Sequence, residues 1–174
     1  MNIRFMEDGT IQMDNARICW RNFRGAAVAY NTEGDRNFSV IIEDSCIQQK
    51  DEAGNIVETP ILALDLANML KDMGWNVKIK TPDDPDEQTF IHLPVKIKFL
   101  NWRQPIFWLR TNGVMNKLED EDSIGILDDV EIARVDLDIY PYDWTMPNGR
   151  SGRTARLQSI CVTQLVRDRF GGHL

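Results

Sequence analysis

The feature that most limits the fold of this chain is the two-residue alternation of apolar side chains, repeated in short segments along its length. Val95, Ile97 and Phe99 alternate with Lys96 and Lys98, and Val135, Leu137 and Ile139 alternate with Asp136 and Asp138. Phe38, Val40 and Ile42 do the same within Arg36–Ile42. Side chains two apart share one face of a β-strand, so each segment reads as a strand with one buried face. Similar readings cover Ala16–Phe23, Asn76–Lys80, Thr89–Leu100, Pro105–Arg110, Val130–Tyr140 and Arg153–Thr163, with Asn2–Ile11 as a short strand or arm. In Ala16–Phe23 strict alternation puts Ile18, Trp20 and Asn22 on one face and Arg17, Cys19, Arg21 and Phe23 on the other.

Helical spacing is confined to two places. Leu62, Leu66, Met69, Leu70 and Met73 form an apolar stripe. Thr59 is the expected N-cap, Pro60 suits the first turn, and Gly74 suits the C-terminal cap. Leu118–Asp129 reads as a short surface helix. Glu43–Glu58 is polar and acidic, and reads as a loop excursion. Pro94 is expected at an edge or a bulge, because proline lacks the amide that a ladder needs.

Hairpin-linked strands with one inserted helix imply a mainly β fold. The expected architecture is a five-stranded Greek-key barrel of OB type, with one packed α-helix and a short second helix. The alternative is an α+β sandwich. Residues 1–174 are expected to form a single OB-type domain with extensions. No run is long and apolar enough for a membrane span, and the first ten residues lack the apolar core of a secretory signal. A cytoplasmic protein without membrane contact is expected, so Cys19, Cys46 and Cys161 are read as free thiols.

Charge is segregated. The formal net charge is −7, which by itself disfavours a nucleic-acid binder. Yet 15–32, 88–118 and 145–167 contain no acid and hold twelve of the twenty basic residues. The acids gather in Glu43–Glu58, Asp83–Glu87 and Glu119–Asp138. Aromatics interleave with the basic stretches: Trp20, Phe23 and Tyr30, then Phe90, Phe99, Trp102, Phe107 and Trp108. Cations beside stacking rings are what sequence-tolerant binding of single strands requires. The candidate binding residues are Arg17, Arg21, Phe23, Arg24, Lys96, Lys98, Trp102, Arg103, Trp108, Arg110, Arg150, Arg153 and Arg156. By parity Trp20 and Phe99 face the core, while Phe23 shares the arginine face. Tyr140-Pro141-Tyr142-Asp143-Trp144 reads as an aromatic turn that either stacks on a ligand or closes one barrel end. Pro147–Arg153 reads as a flexible basic hairpin tip.

Signals for catalysis are weak. His92 and His173 lack metal-ligand spacing, and no phosphate-binding loop or nucleophile elbow occurs. No catalytic residue, metal or cofactor is expected. The one exception to weigh is Asp136 with Asp138, and Asp143 nearby, as ligands for magnesium in a nuclease or nucleotidyl transferase. The plainer alternative is a strand face paired with Arg134 or with Lys96 and Lys98.

A family resemblance spans Ala16 to Thr163. Arg21-Asn22-Phe23-Arg24-Gly25, Tyr30-Asn31 and Gly34-Asp35-Arg36-Asn37-Phe38-Ser39-Val40 resemble the opening of small phage and prophage single-stranded-DNA-binding proteins with an OB-type fold. Gly74-Trp75-Asn76-Val77-Lys78, Ser123-Ile124-Gly125-Ile126-Leu127-Asp128, Val135-Asp136-Leu137, Tyr140-Pro141-Tyr142 and Trp144 are similar to their later segments. The resemblance implies a non-enzymatic protein that coats single-stranded DNA in phage replication or recombination, in the host cytoplasm. It also implies phage or host replication and recombination proteins as partners, with self-association left open. Many such proteins recruit partners through an acidic tail. This sequence ends Arg167-Asp168-Arg169-Phe170-Gly171-Gly172-His173-Leu174, so recruitment of that kind is not expected. A protein–protein module remains the rival reading: a host-enzyme inhibitor or DNA mimic acting through acidic Glu119–Asp138.

Overall fold

The computed structural model describes residues 1–28 and 31–167. The chain is mainly β, with an OB-like arrangement inside a larger mixed sheet that does not close. Its strands are β1 (Asn2–Phe5), β2 (Ile11–Ala16), β3 (Ile18–Asn22), β4 (Arg36–Ile41), β5 (Ser45–Lys50), β6 (Ile56–Ile61), β7 (Lys78–Lys80), β8 (Phe90–Ile97), β9 (Ile106–Thr111), β10 (Val114–Leu118), β11 (Ile132–Thr145) and β12 (Ser151–Gln164). Helix α1 is Ala63–Asp72, and α2 (Glu121–Ile124) runs into a 3-10 turn at Gly125–Asp128.

The hydrogen-bonded order is β3-β4-β8-β12-β11-β2-β1-β5-β6. β2 and β3 are one continuous stretch interrupted only at Arg17. The path from β3 through β4, β8, β12 and β11 therefore returns to the strand on which it began. That loop of five strands, with its parallel β8–β12 pair, is the Greek-key core. β1, β5 and β6 extend it on the far side of β2, and β9–β10 extends it along β12.

Two bulges bend the shared strand, one on each side of Arg17. Between Ala16 and Met13 β2 takes three steps where β11 takes two, and Asn15 there has a φ of 56°. Between Cys19 and Asn22 β3 takes three steps where β4 takes two, and Trp20 has a φ of 52°. An extra residue bends its strand and reverses the facing of every residue beyond it. The consequence is a correction to strict alternation. Phe23 is fully buried, stacked on Phe38 at 5.3 Å and edge-on to Phe107 at 6.3 Å. Trp20 is 55% exposed.

The inner face carries the expected apolar rows. Val135, Leu137 and Ile139 of β11, Leu93, Val95 and Ile97 of β8, and Phe38 and Val40 of β4 are all buried. Ile124 and Leu127 close one end of this core. Phe99 lies past the end of β8 and is 38% exposed, with the Arg36 guanidinium above its ring. Pro94 lies in an interior strand. It is tolerated because β8 changes neighbours there, from β7 beside Phe90–His92 to β12 beside Val95–Lys96.

Glu43–Glu58 is not a loop. Most of it is the antiparallel pair β5–β6, joined through Asp51–Asn55. Thr59 and Pro60 belong to β6, an edge strand where proline is tolerated. Helix α1 begins later, at Ala63, and its first amide is capped by the Asp44 carboxylate at 2.9 Å. Leu66, Ala67 and Leu70 are buried, whereas Leu62, Met69 and Met73 remain exposed. Gly74 ends the helix with a φ of 97°, as expected. The aromatic segment Tyr140–Trp144 is not a turn but the second half of β11. All three cysteines are free and half-buried. Among the described residues no helix is long and apolar enough to cross a membrane. Tyr30, His173 and the tail beyond Arg167 lie outside the described residues.

Two stability effects follow. The left-handed backbone at Trp20 costs a residue with a β-carbon about 1–2 kcal/mol. Trp20→Gly is therefore expected to be about 1 kcal/mol more stable than Trp20→Ala in urea denaturation, and equal midpoints would refute strain at this bulge. His92 is buried beneath Trp20 with Nδ1 3.0 Å from the Ser39 hydroxyl. Burial, then Lys80 and Lys78, hold its pKa below the ordinary 6.5. The unfolded chain thus takes up this proton at higher pH than the folded one, so stability falls as pH drops below about 6.5. His92→Gln should lose less stability than the native chain between pH 7.5 and 5.5, and an equal loss would assign the effect elsewhere.

Candidate nucleic-acid interface

The outward face of the core sheet is built by register. Asn37 of β4 pairs with Lys96 of β8, Lys96 pairs with Arg156 of β12, and Arg156 pairs with Tyr140 of β11. Residues opposite one another on adjacent strands share a face, so these four form one row across the sheet. Ala155 and Val95, one position away, face the core on the same strands. Neither Lys96 nor Arg156 has an acidic partner among the described residues.

Aromatic side chains support this row on both sides. The Arg156 guanidinium carbon is 3.6 Å from the centre of the Tyr142 ring, and that of Arg103 is equally close to the centre of Tyr140. Gln158 fixes Arg103 further by accepting from its Nη2 at 2.6 Å. Towards β7, Trp20 meets His92 and Phe90 edge-on at 4.7 and 5.4 Å, with the Lys80 ammonium 5.0 Å above its ring. Lys78 and Lys80 pair with His92 and Phe90, so they extend the cationic face. A cleft of about 750 Å³ opens beside Trp20 and Lys80, bounded by Asn22, Asn31 and Asn37. The Asn37 amide donates to Asn31 Oδ1 at 2.7 Å and fixes that wall.

The three acid-free stretches do not meet in one groove. The arginines of the first are engaged within the chain, two of them by the helical segment that follows β10 and its neighbours. Arg21 donates to the carbonyls of Leu127 and Val130 at 2.9 and 2.8 Å. Arg24 pairs with Asp129 at 2.6 Å, which holds the Asp129 carboxyl below and the guanidinium above their usual ranges. Arg17 is exposed and pairs with Glu43 at 3.2 Å. Phe23, being buried, offers no surface to a base.

The second and third stretches supply the row, through Lys96, Arg103 and Arg156. Lys98 is half-buried just beyond β8. Trp102 is 75% exposed in the turn before β9. Trp108 and Arg110 lie further along β12, opposite Cys161 and Thr163, and Arg110 Nε contacts Met115 Sδ at 3.2 Å. Arg153 is paired with Asp143 at 2.7 Å, which lowers the Asp143 pKa, and sits over buried Trp75. Arg150 is exposed at the β11–β12 tip.

Alternation misplaced Trp20 because a bulge leaves no trace in the apolar pattern. Lys78 and Lys80 are absent from the candidate residues, although Lys78-Ile79-Lys80 puts both lysines on one face. The strand β10 is absent from the sequence reading too, although Asn112-Gly113 is a strong short hairpin signal.

The carboxylates weighed as magnesium ligands have other tasks. Asp136 accepts from Arg134 at 2.9 Å and from the Asn15 amide, which the bulge frees, at 2.9 Å. Asp138 accepts from Ser159, and burial with the nearby Asp14 charge raises its pKa. Among the described residues no group of three or more His, Cys, Asp or Glu is arranged to hold a metal ion.

The family model described as "Putative phage ssDNA-binding domain" matches residues 2–60 and 47–170. No curated protein matches the sequence. The single-stranded DNA-binding protein from bacteriophage Enc34, in complex with ssDNA, is similar in structure, with a TM-score of 0.54 at 12% identity over 95% of this chain and 92% of that one. A second structure of the Enc34 protein gives a TM-score of 0.52 at 12% identity, over 98% and 89% of the two chains. Its C-terminal truncation gives 0.50 at 13% identity, over 94% and 90%. At such identities the structural likeness speaks for the fold, and the sequence match for the family: this chain belongs to the phage ssDNA-binding domain family.

Proposed function

We propose that this chain binds single-stranded DNA, with little regard to sequence, across the outward face of β4, β8, β12 and β11. It does so without catalysis, as a single OB-type domain with extensions, in phage DNA replication or recombination within the host cytoplasm. The observation that carries the reading is the in-register row Asn37–Lys96–Arg156–Tyr140, with its two unpaired cations. OB folds take oligonucleotides on the face of their second and third strands, between the loops that follow the first and fourth. In this chain those strands are β4 and β8, and the loops are those that follow β3 and β11. Arg103 stands at the Tyr140 end of the row, and Lys78 and Lys80 lie on the same face beside His92 and Phe90, further along β8 from Lys96. The family membership and the Enc34 complex with ssDNA point the same way.

Phosphate neutralisation releases counterions, so affinity for a labelled oligo-dT in fluorescence anisotropy should fall linearly on a log–log plot against salt. Lys96→Ala should reduce that slope by about 0.7, the value for one phosphate contact on a single strand. The double change Lys96→Glu with Lys98→Glu should weaken binding further. Absence of any complex at low salt would defeat the proposal, and an unchanged slope in Lys96→Ala would move the strand off this face.

A further inference from the structure

We infer that the Arg103–Tyr140 and Arg156–Tyr142 pairs are the surfaces on which nucleobases stack, each guanidinium carbon lying 3.6 Å from the centre of its tyrosine ring. The inference rests on the single-strand reading above and specifies how that site grips bases.

The distances separate these two arginines from the other cations. Arg103 and Arg156 lie 3.6 Å from the centres of Tyr140 and Tyr142, the contact distance of two flat groups. The remaining cation–aromatic contacts, at Arg36, Lys80 and Arg153, stand at 5.0–5.4 Å. Tyr140 is only 4% exposed, so a base cannot reach its ring while Arg103 covers it. The outermost flat surface at that point is the guanidinium itself; in the second pair Tyr142 is 44% exposed while Arg156 Nε is buried, so there the ring is the accessible plane.

Neither guanidinium forms a salt bridge among the described residues, although the Asp8 carboxyl, whose pKa is lowered first by hydrogen bonds from Thr10, is lowered further by the nearby Arg103 charge. Gln158 ties Arg103 in place through a neutral amide. Arg156 Nε is buried with no acceptor. Arg153 shows the contrast, since Asp143 neutralises it above Trp75. Guanidinium planes stack on bases as well as on aromatic rings, which an ammonium cannot do.

Spacing fits one base per platform. Tyr140 and Tyr142 are two residues apart on β11, roughly 6.8 Å along the strand. Stacked bases are about 3.4 Å apart along one strand of a duplex. Two consecutive bases placed here are therefore drawn away from each other, and each lies on its own arginine–tyrosine pair. Lys96, on the side of Arg156 away from Tyr140, is left to meet the phosphate next to the second base.

The test compares two probes on the same protein by anisotropy: labelled oligo-dT, and an abasic oligomer of equal length with sugar and phosphate only. Arg103→Lys and Arg156→Lys keep the charge and remove the plane. Each should lower the oligo-dT affinity about fivefold or more while leaving the abasic affinity within about twofold. Tyr142→Leu, which removes the half-exposed ring of the second pair, should lower the ratio of the two affinities in the same direction. Because the ratio is measured on one preparation, partial unfolding of a variant cancels. Equal losses on both probes, or no loss on oligo-dT, would overturn the inference while leaving single-strand binding intact. Failure of the native chain to bind either probe would overturn both readings.

Discussion

A sheet that curls on itself must satisfy the backbone groups at both of its ends, and one strand does that for this chain. The stretch from Ile11 to Asn22 pairs with β11 through its first half and with β4 through its second. It can serve both only by bending sharply, and the extra residues at Asn15 and Trp20 supply the bend. The rest depends on that geometry. Asp136 is recruited to cap the amide freed at Asn15. Phe23 is turned into the core, where it stacks on Phe38. Trp20 is turned out over His92 and Phe90, beside the cleft.

The same geometry sorts the charge. Turning β3 over brings Arg21 and Arg24 against the helical segment Glu121–Asp128 and its neighbour Asp129. These arginines meet carbonyls and carboxylates, which holds that segment against one end of the core. The acids between 119 and 129 are therefore partly matched from within the chain, by Arg24, Arg36 and Lys117. Lys96 and Arg156 lie on central strands whose neighbours at that level are Asn37 and Tyr140, which carry no charge at neutral pH. A net charge of −7 and a cationic face thus coexist without conflict, because charge acts locally through a medium that screens it within about 10 Å.

Some of this was legible before any coordinates. The rows Val135–Leu137–Ile139 and Val95–Ile97 named their buried faces correctly, because a strand with one side in the core must alternate. Lys96 was named for the same reason, as the outward residue of such a strand, whereas Arg156 was named only from its place in an acid-free stretch. The β5–β6 pair was not legible: Ile56 and Val57 are exposed and Gln48, Gln49 and Lys50 are polar, so nothing there alternates. Thr59-Pro60 looked like a helix start because its chemistry suits one, yet β5 captures that segment first and Asp44 caps the helix from elsewhere.

The sequence by itself determined the fold class, the faces of the long strands and the pooling of basic residues, because those are local properties of periodicity and composition. Only the tertiary structure decided which cations face solvent together and which are matched inside. A salt bridge such as Arg24–Asp129 joins residues far apart in the chain, and a bulge reverses facing without changing the residues around it. Both depend on which strands become neighbours. That choice depends on the whole chain satisfying its backbone hydrogen bonds at once, and no single segment encodes it.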